Sequence, residues 1–497
     1  MKNNPEYWFY GRKKIWVLVS VIAALVYVFF SVRISGNGSV LILILPPALL
    51  LAVLLFISLE RFLLLTVFLV PLSVQLRFLV PDPPFDIFLP TELMLLASLV
   101  LIVYRFFVTR DFNRNILRHP VSVMVYCLLA WVFLTSLTSS MPLVSFKNLA
   151  ARLWYIASFY FLAAEIFRDH RKIRKYFLAY TAGMTPVVIY FLVRMYQSGI
   201  FNQEAAYGSP QPFFLDHTAI GAGLAFLIPM IVYFLLSRDS SLALRSLLAI
   251  QLLLFTAAFI LSYSRAAWIS LVFAGMITLV FLSRLSWKVI LTGTTVILIV
   301  IITSWSEIII RLNENRQESS ADMASHIRSI ANIRSDASNM ERINRWKAAL
   351  RMSAERPLLG WGPGTYQFNY APFQVSTEKT IISTNYGEGG NAHSEYLGSL
   401  SESGIPGMVF YILLLFFMMQ RGVAAWKHHP DRSTRYLTLS LMAGLVTYII
   451  HGGLNNFLDS DKISALFWGM IAAIVAIDVE MKEYETGKSM PQIGSDN

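Results

Sequence analysis

A single cysteine, Cys127, stands among 497 residues, and it lies inside an apolar run. That excludes an internal disulfide and any multi-cysteine metal site, and makes Cys127 a packing residue. Charge is scarce too: 14% of residues are Asp, Glu, Lys or Arg, where soluble domains carry about a quarter. Apolar residues fill the deficit at 56%, and the mean hydropathy is +0.57. So much oily surface cannot be hidden inside one water-facing globule. A soluble enzyme, a nucleic-acid-binding domain and a disordered scaffold are thereby excluded. Internal repeats and low-complexity segments are also absent. No small-residue cleavage site follows Arg12, Lys13 and Lys14, so the first apolar run is expected to be a retained span rather than a cleaved signal.

Crossing the hydrocarbon of a bilayer takes about 20 mainly apolar residues. Runs of that kind lie near 15–33, 40–58, 62–80, 88–107, 120–138, 151–167, 176–196, 213–236, 245–263, 266–283, 288–309, 403–420, 436–452 and 463–479. In lipid each segment must satisfy its own backbone, and the runs are too long for barrel strands, so they are helices. The expected fold is all-α: a polytopic membrane protein with about 12–14 transmembrane helices.

The net charge of +11, from 41 basic and 30 acidic residues, is distributed by side. With the N-terminus in the cytoplasm, the cytoplasmic loops hold Arg105, Arg110, Arg114 and Arg118, then Arg168, Arg171, Lys172, Arg174 and Lys175. They also hold Arg238 and Arg245, Arg284 and Lys288, and Arg421, Lys427, Arg432 and Arg435. The opposite short loops, such as 81–86 and 452–461, are poor in charge. This is the positive-inside pattern, so the positive charge orients the chain and implies membrane lipids, not nucleic acid, as partner.

One stretch on the non-cytoplasmic side is out of scale with the other loops. The chain divides into N-terminal transmembrane helices (1–309), a large polar loop (310–402), C-terminal transmembrane helices (403–479) and a cytoplasmic tail (480–497). A loop of that length in a compact protein is commonly functional. Within it, Ser338-Asn339-Met340-Glu341 is suited to cap a helix carrying Ile343, Trp346, Leu350 and Met352, and Pro357 stops that helix. Gly360-Trp361-Gly362-Pro363-Gly364 then reads as a tight turn. A second short helix is expected from about Ala392 to Ser401, with His393, Leu397 and Leu400 on one face. Gly404-Ile405-Pro406-Gly407 breaks it before the next span.

Three places on this side carry candidate chemistry. Ser262-Tyr263-Ser264-Arg265 sits between two apolar runs; Arg265 reads either as a snorkelling anchor or as a cation awaiting an anionic partner. Arg342 and Trp346 share one face of the loop helix, with Arg345 beside them; the plain alternative is a solvated helix with an apolar stripe. His393 opens an amphipathic helix at the membrane boundary, a position suited to a proton acceptor, though a lone histidine is more often structural. Asp216 and His217, His451 and Asn455, and Lys147 and Arg152 are secondary candidates for substrate contact, each with an interfacial structural alternative.

In order along the chain, these motifs resemble the O-antigen ligase family, which includes O-antigen polymerases and bacterial O-oligosaccharyltransferases. The resemblance rests on His393-Ser394, nine residues, Gly404, two residues, Gly407. It extends to Ser264-Arg265, to Arg342 four before Trp346, and to Pro357-Leu358-Leu359-Gly360-Trp361-Gly362-Pro363-Gly364. It covers roughly residues 210–420; the first half is similar only in hydropathy. Ser394 stands where the family often has Asn, which its pattern tolerates.

The resemblance implies a GT-C-like glycosyltransferase of the bacterial inner membrane with its active site facing the periplasm. As a ligase it would take a glycan from undecaprenyl pyrophosphate and place it on lipid A–core oligosaccharide, with no cofactor and no metal. By carry-over, Arg265 and Arg342 bind the donor pyrophosphate and His393 is the catalytic histidine, while Arg345, His217 and Ser394 are further candidates for substrate contact. A polymerase or a protein O-oligosaccharyltransferase would share the donor chemistry and differ in acceptor. A lipid-linked glycan flippase or transporter is the alternative of another class, and it predicts inverted repeats and small loops.

The chemistry is coherent on its own terms. Expelling a lipid diphosphate from an anomeric carbon builds negative charge that a cation must meet. Guanidinium groups bind phosphate oxygens bidentately and stay charged in a partly dry site. A neutral imidazole accepts the acceptor hydroxyl's proton, a role worth about 10²–10⁴ in rate. The outer carboxylates, among them Asp216, Glu388, Glu395 and Asp459, have no metal-ligand spacing.

Overall fold

The computed structural model describes residues 58–79, 87–109, 112–200, 202–283, 292, 337–380, 383–384 and 390–485. Two compact units, residues 1–65 and 66–497, divide the chain; the account below concerns the second, apart from helix α1, which crosses the boundary. The candidate span near 15–33, all but residue 292 of 288–309, and all but the last residue of 40–58 lie outside the described residues.

Helix α1 (Leu59–Leu69) is shorter than the 62–80 run. Pro71, which cannot continue a helix, follows its last turn, and the chain passes instead into a small antiparallel ladder, β1 (Val74–Gln75) on β2 (Phe88–Leu89). The remaining runs form long helices. These are α2 (Thr91–Tyr104), α3 (Pro120–Leu137), α4 (Pro142–Ile156), α5 (His170–Gln197), α6 (His217–Leu236), α7 (Leu242–Leu261) and α8 (Arg265–Leu282). The polar loop contributes α9 (Ala337–Glu355), and the C-terminal part α10 (Glu395–His428), α11 (Arg432–His451) and α12 (Asp461–Glu485). Helix α4 continues through a π-helical stretch, Ala157–Leu162, to Ile166. Among the described residues, nine helices are long and apolar enough to cross a membrane. The protein is an all-α, multi-pass membrane protein.

Starts are set by local chemistry. Pro120 and Pro142 occupy first-turn positions, where the missing N–H costs nothing. Asp216 caps α6 by accepting from the backbone of Thr218 and Ala219, at 2.8 and 2.9 Å. Helix α11 packs on α6, α8, α10 and α12, and α10 on α3 and α12. Helix α12 is the axis of the bundle: 94% of its apolar stretch is buried within the protein, against 22% for α8.

The two ends of the bundle differ in character. One end gathers the basic connections, tied by His119 to Asp478 at 2.9 Å, Asn115 to Glu483 at 2.9 Å and Arg174 to the carbonyl of Asp239 at 3.1 Å. The other gathers the polar loop and the turns after α3, α7 and α11, through Ser140 to Trp361 and Glu395 to Gly452.

Candidate active site

Ser338–Glu341 are themselves helical, part of α9, rather than capping it. It carries a small core in which Ala348, Ala349 and Met352 pack on Tyr366, Tyr370 and Ala392, with Trp361, Phe373 and Leu397 at the edge. Leu350, expected on the apolar stripe, is 51% exposed instead. The Gly360–Gly364 turn fastens this core to the bundle. Its backbone donates from Trp361 and Gly362 to the carbonyls of Ser401 and Glu402, at 3.0 and 2.8 Å, and accepts from Ser140 at 2.9 Å. Gly360, Gly362 and Gly364 all have φ between 65 and 112°, the left-handed region that glycine occupies without penalty.

The two signature glycines are explained by this contact. Helix α10 bends at Gly404, whose φ of 71° is non-helical. There Ile405 donates to the carbonyl of Pro357 at 2.8 Å, and Trp131 donates to the carbonyl of Ser403 at 2.8 Å. A methyl group on Gly404 would stand 2.1 Å from the Leu358 carbonyl oxygen, and one on Gly407 would meet the Ser403 side chain at 2.4 Å. The expected short helix and the following span are therefore one element with a bend, and Pro406 sits in the first turn beyond it, where its ring is harmless.

His393 precedes α10 rather than lying on its face. Its φ is 48°, and the backbone is held on both sides: Asn391 accepts from its N–H at 2.9 Å and Trp346 donates to its carbonyl at 3.2 Å. Ser394 caps α10 by accepting from Leu397 at 3.3 Å. Asn455 lies within reach of the imidazole. Burial, then the charges of Arg345 and Arg342, push the pKa of His393 down to about 4, with Asp216 and Asn455 opposing in part. At neutral pH the ring is an uncharged base.

Arg342 lies on α9, and its charge reaches His393, His217 and His451. Arg265 is the first residue of α8, and its charge also reaches His217. The α7–α8 turn that presents Arg265 is tight: Tyr263 has φ 48°, and Trp268 donates across it to the Phe259 carbonyl at 3.0 Å. His217 donates from Nδ1 to the Ser262 carbonyl at 2.6 Å, and a methyl group on Gly221 would touch Ser264 at 2.8 Å. Ser264 is 1% exposed, and among the described residues its hydroxyl has no hydrogen-bond partner.

Arg345 is engaged within the loop. Its Nε donates to Glu341 at 2.8 Å, its Nη1 donates to the Asn391 carbonyl at 3.2 Å, and the guanidinium lies over the Tyr370 ring at 5.1 Å. Burial would raise the Glu341 pKa, but hydrogen bonds from Ser383, Arg345 and Asn344 and the charge of Arg345 outweigh it and hold the carboxyl below its ordinary value. Arg152 pairs with Asp459 at 3.4 Å, and Lys147 is exposed. Asn391, Glu341 and Trp346 were not foreseen as supports of His393. Only Asn391 had a readable signal, an Asx turn two residues ahead of the histidine.

The bundle and its docked loop thus define a multi-pass membrane protein with guanidinium and imidazole groups gathered at one end. Residues 250–412, about a third of the chain, match the model of a family described as O-antigen ligase. This stretch is similar to that family, in line with the motifs, and the similarity supports a glycosyltransferase of the O-antigen ligase/polymerase type. No curated protein matches the chain.

Proposed function

We propose that the protein transfers a glycan from undecaprenyl pyrophosphate to lipid A–core oligosaccharide at the periplasmic face of the bacterial inner membrane. The observation that carries this reading is the placing of α9 and the α7–α8 turn: Trp346, one turn from Arg342, donates to the His393 carbonyl at 3.2 Å, His217 holds the Ser262 carbonyl beside Arg265 at 2.6 Å, and the charges of Arg342 and Arg265 both reach His217. Two guanidinium groups and a half-buried neutral imidazole therefore share one end of the bundle.

In this reading Arg265 and Arg342 grip the diphosphate of the donor. The N-terminus of α8 adds its positive end, and the Ser264 hydroxyl lies beside it. The acceptor hydroxyl attacks the anomeric carbon; the new glycosidic bond forms as the bond to the diphosphate oxygen breaks. The hydroxyl proton passes to the free nitrogen of His393, and the lipid diphosphate departs as an anion held by the arginines. Attack opposite the leaving group inverts the anomeric centre. His217 and Ser394 border this space, and Arg345 shapes it through Asn391.

Glycan analysis of cells lacking the protein tests the reading. Loss of polymer from lipid A–core with carrier-linked polymer accumulating is the expected result. Single repeat units on the core would indicate a polymerase instead, and loss of glycan from proteins an O-oligosaccharyltransferase.

A further inference from the structure

The turn after α11 is stapled to the turn that holds His393. Glu395 donates from its backbone to the Gly452 carbonyl at 2.8 Å, and its carboxylate accepts from the backbone of Phe457 and Leu458 at 2.8 and 3.0 Å and from Tyr448. Asn391 donates to the Asn456 carbonyl at 3.4 Å. Between these ties lies Asn455, 2% exposed, beside the His393 ring on one side and His451 on the other. The separation of Asn455 Nδ2 from His451 Nε2 is 3.1 Å.

We propose that Asn455 is the positioning residue of the His393 base, and that His451 decides which end of the Asn455 amide faces it. An amide has one donor end and one acceptor end. A buried imidazole nitrogen that accepts from Nδ2 draws the donor end toward His451, which leaves the amide oxygen for His393. That oxygen accepts only from a ring N–H, so it fixes the tautomer: one His393 nitrogen carries the proton and the other keeps its lone pair for the acceptor hydroxyl. His451, 1% exposed and behind Asn455, sets the amide and does not meet substrate. The charged groups facing the ring are Arg342 and Arg345 from α9 and Asp216 from the start of α6. Between such arginines a carboxylate orienter would compete with the diphosphate for their charge; a neutral amide orients the ring and leaves the cations for the donor.

The inference rests on the function proposed above, and the experiment separates the two. Full-length protein in lipid nanodiscs is given a synthetic polyprenyl-diphosphate-linked glycan and an acceptor, and release of polyprenyl diphosphate is followed against pH. Asn455→Ala is expected to lower kcat about 10²-fold, the usual scale of a disabled general base, with the donor KM within about twofold. Asn455→Asp keeps the acceptor oxygen, so it recovers much of the loss and moves the acid limb up by about one pH unit, because a carboxylate favours the protonated ring. Equal losses in both variants with an unmoved limb, or a raised KM at constant kcat, overturn the proposal. If Asn455→Ala does not fold, His451→Phe carries the test: a several-fold fall in kcat supports the relay and an unchanged kcat overturns it. A wild-type protein that releases no polyprenyl diphosphate overturns both readings. An active wild type and inactive His393→Ala beside unaffected Asn455 variants overturn this one alone.

Discussion

Gly404→Ala is a one-methyl perturbation whose effect can be worked from the structure. An alanine at φ 71° carries a left-handed penalty of about 1–2 kcal/mol. Its methyl would sit 2.1 Å from the Leu358 carbonyl oxygen, so the Pro357–Leu358 strand must retreat. That strains or breaks the 2.8 Å bond from Ile405 to Pro357, worth about 1 kcal/mol net. The sum is about 3 kcal/mol, a large fraction of the stability of an ordinary domain. The control is Gly275→Ala in α8, where a Cβ meets nothing within 4 Å and helix propensity predicts a gain of up to about 1 kcal/mol. Thermal unfolding of the two purified variants in one detergent, with transfer measured in parallel, tests the reasoning. Gly404→Ala should melt several degrees below the wild type and lose transfer, while Gly275→Ala should match or exceed it. A Gly404→Ala protein with wild-type melting and turnover would refute the account of the bend.

The depressed pKa of His393, about 4 against an ordinary 6.5, predicts kcat/KM flat from neutral pH down to about 5 and falling below it as the ring protonates; a limb near 6.5 would show an unperturbed histidine. Bound diphosphate favours the protonated ring, so the acid limb of kcat should lie higher than that of kcat/KM. Arg265→Lys and Arg342→Lys should each cost about 10-fold or more in kcat/KM although charge is kept, because an ammonium cannot reproduce a bidentate grip; wild-type kinetics in either would make that arginine an anchor. Incubation with EDTA should leave transfer unchanged, and a large loss would put a metal ion in the mechanism. Glu341→Ala removes one partner of a buried ion pair, a change costing about 3–5 kcal/mol, and should speed limited proteolysis within residues 337–394 at neutral pH.

Much of the fold was legible because hydropathy and breakers act locally. The spans near 120–138, 213–236 and 245–263 coincide closely with α3, α6 and α7. The 62–80 run misled because its hydropathy continues past Pro71, and a hydrophobic count does not register a missing N–H. At the candidate site, the order of Arg265, Arg342 and His393 was readable from motifs, and the glycines at 360, 362, 364 and 404 announced turns. What stayed hidden depends on contacts between distant segments. Nothing in the sequence pairs Asn455 with His393, and nothing in the spacing of α9 says that Arg345 pairs with Glu341 and lies over Tyr370, or that the charge of Arg342 reaches His217 and His451 as well as His393. The left-handed backbone of His393 was equally unreadable, since Asn391 and Trp346 impose it from either side.

Helix α12 is as apolar as its neighbours yet is enclosed by protein along nearly its whole length, while α8 has most of its surface outward. Hydrophobicity therefore has two meanings in this chain. In α8 it is solubility in acyl chains, which almost any oily side chain provides, so exposed positions such as Val272 and Leu279 should tolerate exchange. In α12 it is shape: Ile471, Ala472 and Ile474 are wholly buried, and an added or deleted methylene there has no lipid to absorb it. A carbene-generating probe dissolved in the bilayer should consequently tag α8 and spare α12, sorting by accessibility two helices that a hydropathy plot draws alike.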